Sequence, residues 1–219
     1  MIHTLEADSI IVEFGLNRIL SDVCIKCETG RITGLLGRNG AGKSSLLNII
    51  YGNLKSSGKS IRFDGLAERQ PFKRPELLLY LPQFNFIPTN FSLKRIFADF
   101  KVDYDYFGSL FPDFTSKYKM QLGTLSGGER RLVEIYVLVK AKSQFLFLDE
   151  PFSHLSPVYV DIVKKLLVGE GRNKGILITD HMYNDVVEIS DDLYVLANGK
   201  THLIKNVQEI ETLGYAHIS

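Results

Sequence analysis

The stretch Gly37-Arg38-Asn39-Gly40-Ala41-Gly42-Lys43-Ser44-Ser45 constrains this chain more than any other. Its spacing, Gly37 to Gly42 and then Lys43-Ser44, satisfies the whole G-x-x-x-x-G-K-[ST] pattern of a phosphate-binding loop. Such a loop sits between a buried strand and the start of a helix, and the flanks agree. Arg31 to Leu36 reads as a short buried strand, and Lys43 to Tyr51 as a helix that opens at once. Glycines at 37, 40 and 42 let the backbone turn several N–H groups toward one anion, and the positive end of the helix dipole adds to the attraction. Lys43 is placed to reach the β and γ phosphates, and the Ser44 hydroxyl to ligate Mg²⁺. The ligand implied is a nucleoside triphosphate. A glycine-rich turn that merely precedes Lys-Ser has no need of the complete spacing.

With 219 residues, 45% of them apolar, the chain can bury a sizeable core and reads as one domain with subdivisions. A net charge of +1 gives no electrostatic reason to expect nucleic acid as a partner. Acids at Glu6 and Asp8 break the opening where a signal peptide would be apolar. No apolar run approaches the roughly 18 to 20 residues of a membrane span. A soluble, intracellular chain is the expectation, and any membrane role requires another polypeptide to cross the bilayer. Cys24 and Cys27 form a C-x-x-C pair. A zinc site needs a second ligand pair, and a redox pair normally opens a helix. Val23 to Cys27 reads instead as strand, where positions three apart face opposite sides, so two structural thiols are expected.

Strands over 3–14 and 22–27, broken by a turn around Gly15-Leu16-Asn17, predict an antiparallel sheet ahead of the loop. Phe14 admits two readings, an aromatic that stacks on a nucleotide base or a strand-end core residue. Further strands are expected at Lys59–Phe63 and Leu77–Leu81, the second ending at Pro82-Gln83. Ligands in open α/β sheets collect at the carboxyl ends of strands. Gln83 there is either an ordinary loop glutamine or a group that coordinates Mg²⁺ or positions a water. From Phe84 to about Thr124 the sequence turns aromatic-rich, with Phe91, Leu93, Ile96, Phe97 and Phe100 near helical spacing. An inserted helical lobe is expected, its stripe serving a core first and a partner groove second.

Leu125-Ser126-Gly127-Gly128-Glu129 precedes a helix whose apolar face is Leu132, Val133, Ile135, Tyr136 and Val139. Ser126 and the glycine pair supply a cap there and a second anion site. One globule has little use for two phosphate-facing helix starts, unless the second serves a nucleotide held by another subunit. Gln144 to Leu148 is then a buried strand delivering Asp149 and Glu150. Charge at a buried strand end is costly without a cation, so Asp149 is assigned to Mg²⁺ through water and Glu150 to orienting or deprotonating the attacking water. A helix from about Pro157 to Val168 and a strand over Gly175–Thr179 follow, and Asp180-His181 repeats the placement of Gln83 and of the acid pair. Strands near Asp192–Ala197 and Lys200–Ile204 and a short terminal helix close the chain.

In this order the phosphate loop, Gln83, Leu-Ser-Gly-Gly-Glu, Phe-Leu-Phe-Leu-Asp-Glu-Pro over 145–151 and His181 resemble the ATP-binding subunits of ABC transporters over essentially the full length. The signature at Leu125–Glu129 is highly specific to that family. The resemblance implies an α/β P-loop NTPase fold, an ABC-type ATPase with a RecA-like mixed or parallel sheet core, an antiparallel β subdomain and an inserted helical subdomain. One domain over 1–219 is implied, with a core lobe of about 1–83 and 142–219 and a helical lobe of about 84–141. ATP and Mg²⁺ are the implied cofactors. Phe14 becomes the adenine-stacking aromatic, Gln83 a sensor of Mg²⁺, the water and the membrane subunit, Glu150 the catalytic base, and His181 the switch histidine at the γ-phosphate beside Lys43. The family pairs head to tail, each ATP lying between one subunit's loop and the other's Ser126, Gly127 and Gly128, which accounts for the second helix start. The implied partners are a second ATP-binding subunit, identical or related, and integral-membrane permease subunits, with no nucleic acid. The implied location is cytoplasmic, peripheral on the inner face of the cell membrane through the permease.

The sequence departs from the family's pattern in several places. Ser45 replaces the usual threonine, and Glu129 the commoner glutamine, as in relatives resembling lipopolysaccharide-export and branched-chain amino acid subunits; Leu177-Ile-Thr-Asp-His181 fits that group too. Ser156 stands where aspartate is usual, which bears on communication between the two sites. The lobe between Gln83 and Ser126 is shorter than in most transporters, and the regulatory domain of some relatives is expected to be absent. A Mg-dependent, transport-coupled ATPase is the leading reading. The alternative is a non-transport ATPase that clamps a soluble partner by ATP-dependent dimerisation, motivated by the short lobe and Ser156. A phosphotransferase would leave the signature unexplained.

Overall fold

Leu5, Ala7, Ile10 and Val12 are all buried, so the inward face of the first strand switches from odd to even positions between 7 and 10. A register shift there, with Ser9 at φ 55°, supplies the extra residue that keeps the apolar side inward. The computed structural model describes residues 1–14, 17–206 and 209–210, without the side chains of Phe14 and Asn17. The expected turn at Gly15-Leu16 and most of the expected terminal helix lie outside the described residues. Strand β1 (Thr4–Phe14) pairs antiparallel with β2 (Asn17–Glu28), Leu5 opposite Cys27 and Ala7 opposite Ile25. The second strand begins at Asn17 rather than at residue 22, because Arg18 and Leu20 pair back onto Glu13 and Val12. Cys24 is exposed and Cys27 buried, as alternation requires, and burial pushes the Cys27 thiol up to about 12.

After β3 (Ile32–Leu36) comes helix α1 (Lys43–Tyr51), then β4 (Gly58–Phe63), antiparallel to β1, and the short β5 (Leu66–Ala67). Strands β6 (Leu78–Leu81), β7 (Phe145–Asp149) and β8 (Gly175–Thr179) run parallel to β3, in the order β3-β8-β7-β6. On the other side of β3, β9 (Asp192–Ala197) lies parallel, and β10 (Lys200–Leu203) returns antiparallel to meet β2 at Asp22. Among the described residues one mixed sheet of ten strands results, in the order β5-β4-β1-β2-β10-β9-β3-β8-β7-β6. The residues of β3, β7 and β8 are buried throughout, because both faces of the parallel part are covered. Along β7 the two sides separate: Phe145 and Phe147 join Leu46, Leu47 and the antiparallel layer, whereas Leu146 and Leu148 join the helices beyond.

Those helices are α2 (Leu93–Phe100), α3 (Tyr104–Leu110), α4 (Gly127–Lys140), α5 (Pro157–Gly171) and α6 (Tyr183–Ile189). The expected stripe in α2 serves packing, since Leu93, Ile96 and Phe97 are buried and Phe97 stacks on Tyr136 of α4 with ring centroids 5.7 Å apart. Helix α6 is not readable from periodicity. Its seven residues carry two buried apolar anchors, Val186 and Ile189, too few for a repeat. Parallel pairing puts the carboxyl ends of β3, β6, β7 and β8 along one edge, so the phosphate loop, Gln83, the acid pair and Asp180-His181 all leave the sheet on the same side.

Candidate functional site

Helix α1 opens without a side-chain cap. Its N-cap is Gly42 at φ 103°, a conformation that strains any residue with a Cβ, and its first turn contains no acid. The first-turn N–H groups therefore keep their capacity for an outside acceptor. Lys43 is buried, and its Nζ donates to the carbonyl oxygens of Gly37 at 2.7 Å and Arg38 at 3.4 Å. Burial pushes its pKa down, and the charges of Glu150, Asp149 and Asp180 oppose that push.

At the end of β7, Asp149 is 1% exposed. Its Oδ2 accepts the Tyr80 hydroxyl at 3.0 Å, and Tyr80 in turn accepts from Asn48 Nδ2 at 3.1 Å. Burial pushes the Asp149 carboxyl up, against the Ser44 and Tyr80 hydroxyls, which favour its ionised form. Ser44 faces the carboxylate, yet no hydrogen bond of good geometry reaches Asp149 Oδ1. Glu150 stands next in the left-handed region at φ 50°, its N–H donating to Thr179 O at 2.7 Å. That turn aims its carboxylate sideways: Oε2 accepts from Gln83 Nε2 at 2.7 Å and lies 3.8 Å from His181 Nδ1.

Four further residues make three connections between these pieces; the sequence places Asp180 at a strand end without giving it a role, and singles out none of the other three. Arg131 of α4, 3% exposed, donates to Pro82 O at 2.7 Å, Asp149 O at 2.8 Å and Glu150 O at 3.1 Å. One guanidinium thus holds the turn before Gln83 and the turn of the acid pair to the same helix. Buried Asp180 accepts the N–H groups of Phe152 at 2.9 Å and Met182 at 3.0 Å, joining the loop after Glu150 to the turn that carries His181. Tyr80 and Asn48 are the third connection. The available signals were small: an arginine bordering an apolar helix face, a tyrosine inside an otherwise aliphatic strand, and an acid adjoining a buried strand.

A cavity of about 410 Å³ gathers most of the expected residues, with Asn39, Gly40, Lys43, Gln83, Glu150 and His181 on its walls. Gly42, Ser44 and Ser45 line it as well, and so does Ile19, which had not been anticipated. Gly37, Arg38 and Ala41 shape the loop without lining the cavity, Ala41 N–H donating to Arg38 O at 3.0 Å. The side chain of Phe14 lies outside the described residues. Ser126, Gly127 and Gly128 do not line the cavity. They form the start of α4, where Gly128 approaches so close that a Cβ would meet the His154 carbonyl oxygen at 2.6 Å.

The donor set suits a hard divalent cation. Among the described residues no group of three His, Cys, Asp or Glu side chains is placed to hold a metal ion. A hydroxyl at Ser44, an amide at Gln83 and a buried carboxylate oxygen without a partner at Asp149 fit an ion that keeps several waters and takes few protein oxygens.

Residues 20–153 match the family model described as ABC transporter. The chain is 30% identical over 230 residues to the lipopolysaccharide export system ATP-binding protein LptB of Escherichia coli, covering 98% of this chain and 95% of that protein. It is 27% identical over 220 residues to the high-affinity branched-chain amino acid transport ATP-binding protein BraG of Pseudomonas aeruginosa, covering 90% of each. Among solved structures, a nucleotide-free ATP-binding cassette from an ABC transporter superposes with a TM-score of 0.77 at 21% identity, over 98% of this chain and 96% of the other. A bacterial Atm1-family ABC exporter with ATP bound superposes with a TM-score of 0.81 at 19% identity, over 97% of this chain and 40% of the other. The fold is therefore that of an ABC ATPase cassette.

Proposed function

Because the chain belongs to the ABC transporter family, as one of its ATP-binding subunits, we propose that Gly37 to Ser45 wrap the phosphates of ATP and that Glu150, His181 and Lys43 carry its hydrolysis. The protein is an ATPase that powers transport through a separate membrane permease. Among the described residues no helix is long and apolar enough to cross a membrane, so the crossing is left to that partner. One observation supports the residue roles above the rest: Gln83, Glu150 and His181 come from the ends of three different strands, yet meet at 2.7 and 3.8 Å beside the phosphate loop. In the hydrolytic step Glu150 would accept the proton of the attacking water, Lys43 would neutralise charge gathering on the γ-phosphoryl oxygens, and His181 would orient that group. Bound Mg²⁺ would supply Lewis-acid neutralisation at the phosphates, held by Ser44, Asp149 and Gln83.

The placement of Ser126 to Gly128 off the cavity supports the head-to-tail dimer, in which they face the partner's ATP. On this reading the subunit is one domain with a core lobe of about 1–83 and 142–219, a helical lobe of about 84–141, and a station on the cytoplasmic face of the membrane against its permease. Phe14 is kept as the adenine-stacking residue. Purified protein should hydrolyse ATP only with a divalent cation. Glu150→Gln should cut turnover about 100-fold or more while an ATP-dependent dimer persists on size-exclusion chromatography. Undiminished turnover in that variant would remove Glu150 from the role of base.

A further inference from the structure

Tyr80 is a residue of β6 whose ring lies in the core, yet its hydroxyl links the phosphate-loop helix to Asp149 in a chain of hydrogen bonds. Asn48 Nδ2 donates to the backbone carbonyl of Ser44 at 2.8 Å and to Tyr80 Oη at 3.1 Å, and Tyr80 Oη meets Asp149 Oδ2 at 3.0 Å. The direction of each bond follows from chemistry. A carbonyl oxygen only accepts, so the NH₂ end of Asn48 must face Ser44. Its second N–H then occupies a lone pair of Tyr80 Oη, and the hydroxyl proton points at the carboxylate. Asp149 has Oδ2 engaged, and its buried Oδ1 receives no hydrogen bond of good geometry, although the Ser44 hydroxyl faces the carboxylate. A bare carboxylate oxygen in that position is costly unless something is meant to reach it.

We propose that Tyr80 is a positioning residue for the divalent cation: oriented by Asn48, it locks Asp149 by Oδ2 so that Oδ1 alone is presented to the metal. The same chain ties the backbone of Ser44 to the carboxylate of Asp149, and so fixes the spacing between two of the assigned metal ligands. The proposal rests on the reading of Ser44 and Asp149 as metal ligands. Partners of this kind, bound to a ligand rather than to the metal, are typically worth about 10- to 100-fold in metal affinity. Tyr80→Phe removes only the hydroxyl and keeps the ring, which packs on Tyr51 with centroids 5.2 Å apart.

The test is Mn²⁺ binding to the full chain with the non-hydrolysed analogue AMP-PNP, followed by the electron paramagnetic resonance signal of free Mn²⁺. AMP-PNP binding in excess EDTA serves as the metal-free reference. Tyr80→Phe should weaken Mn²⁺ binding about tenfold or more and leave the EDTA affinity unchanged; Asn48→Ala should weaken it less, since the hydroxyl remains but can rotate away. A purely structural role for Tyr80 would lower both affinities together, and that outcome overturns the proposal. Asp149→Asn is the reference variant. Loss of Mn²⁺ in Asp149→Asn with wild-type binding in Tyr80→Phe overturns the role of Tyr80 alone. Wild-type binding in Asp149→Asn overturns the assignment of the metal site on which that role stands.

Discussion

Two helices in this molecule start where an anion is expected, and they start differently. Helix α1 has Gly42 as its N-cap, no side chain bonded to its first N–H groups and no acid in its first turn. Helix α4 is closed on itself. Ser126 Oγ accepts the Glu129 N–H at 3.3 Å, Glu129 Oε2 accepts the Ser126 N–H at 2.8 Å, and Lys117 holds the same glutamate by an ion pair. The first start bears the cost of unpaired donors in return for readiness; the second spends the Ser126 and Glu129 N–H groups within the subunit. A phosphate can therefore dock on α1 directly, whereas at α4 it meets a start whose cap, worth about 1 kcal/mol, already holds the Glu129 N–H. In the proposed head-to-tail dimer, the contrast predicts nucleotide first on the phosphate loop and the partner's signature helix afterwards.

The largest effect should come from the open start. Lys43→Met removes the ammonium that the loop carbonyls hold on the wall of the cavity. Loss of a charge-assisted donor to phosphate corresponds to about 100-fold or more in ATP affinity, measurable by equilibrium titration with a fluorescent nucleotide. The melting temperature should not fall, because the variant also deletes a cation whose burial is unfavourable. Binding within a few-fold of wild type would mean that the backbone donors of α1 suffice, and the contrast between the two starts would lose its energetic basis.

How much of each start was legible differs for the same reason. The open one depends on residues adjacent in sequence, so the spacing of Gly37, Gly42, Lys43 and Ser44 predicts strand, loop and helix, with α1 running over the expected Lys43–Tyr51. Of the closed one, Ser126 as a cap is readable, but Lys117 lies 12 residues before the Glu129 it holds, across an irregular turn. The catalytic edge divides likewise. Gln83, Asp149, Glu150 and His181 stand at strand ends, where polarity after an apolar run announces them. Tyr80 finds Asp149 across 69 residues, Arg131 finds Pro82 across 49, and Asp180 finds Phe152 across 28. Contacts set by which strands become neighbours leave no local pattern. The bulge at Ser9 and helix α6 were hidden for a related reason, one being a single inserted residue and the other too short to repeat.

Ser126→Ala sharpens the contrast at the next level. The cap should cost the isolated subunit about 1 kcal/mol, a fall of about 2 to 4 °C in melting temperature for a chain of this size. ATP affinity of that subunit should stay unchanged, since Ser126 does not line its own cavity. Turnover, which in the proposed dimer draws on the partner's Ser126, should fall. A loss of affinity in the isolated subunit equal to the loss of turnover would place Ser126 in the same pocket as Lys43 and break the distinction.

The smallest effect belongs to Glu129, the acid that closes α4. Its hydrogen bond to Lys117, then those to the Ser126 N–H and hydroxyl, hold its carboxyl below the usual glutamate range. A carboxyl depressed by folding adds stability that is complete above its unfolded value of about 4.3 and disappears as pH falls through the folded value. Glu129→Gln keeps an amide oxygen for the cap and loses the charge. It should be less stable than wild type by about 0.5 to 1 kcal/mol at neutral pH, by urea unfolding, with the gap closing only below about pH 4.3. In the proposed dimer the same change removes a negative charge from the helix start that faces the partner's γ-phosphate, so the ATP-dependent dimer should form at lower protein concentration. A gap that instead widened as pH fell would mean that the charge opposes the folded state, and the cap on α4 would then be no barrier to the phosphate.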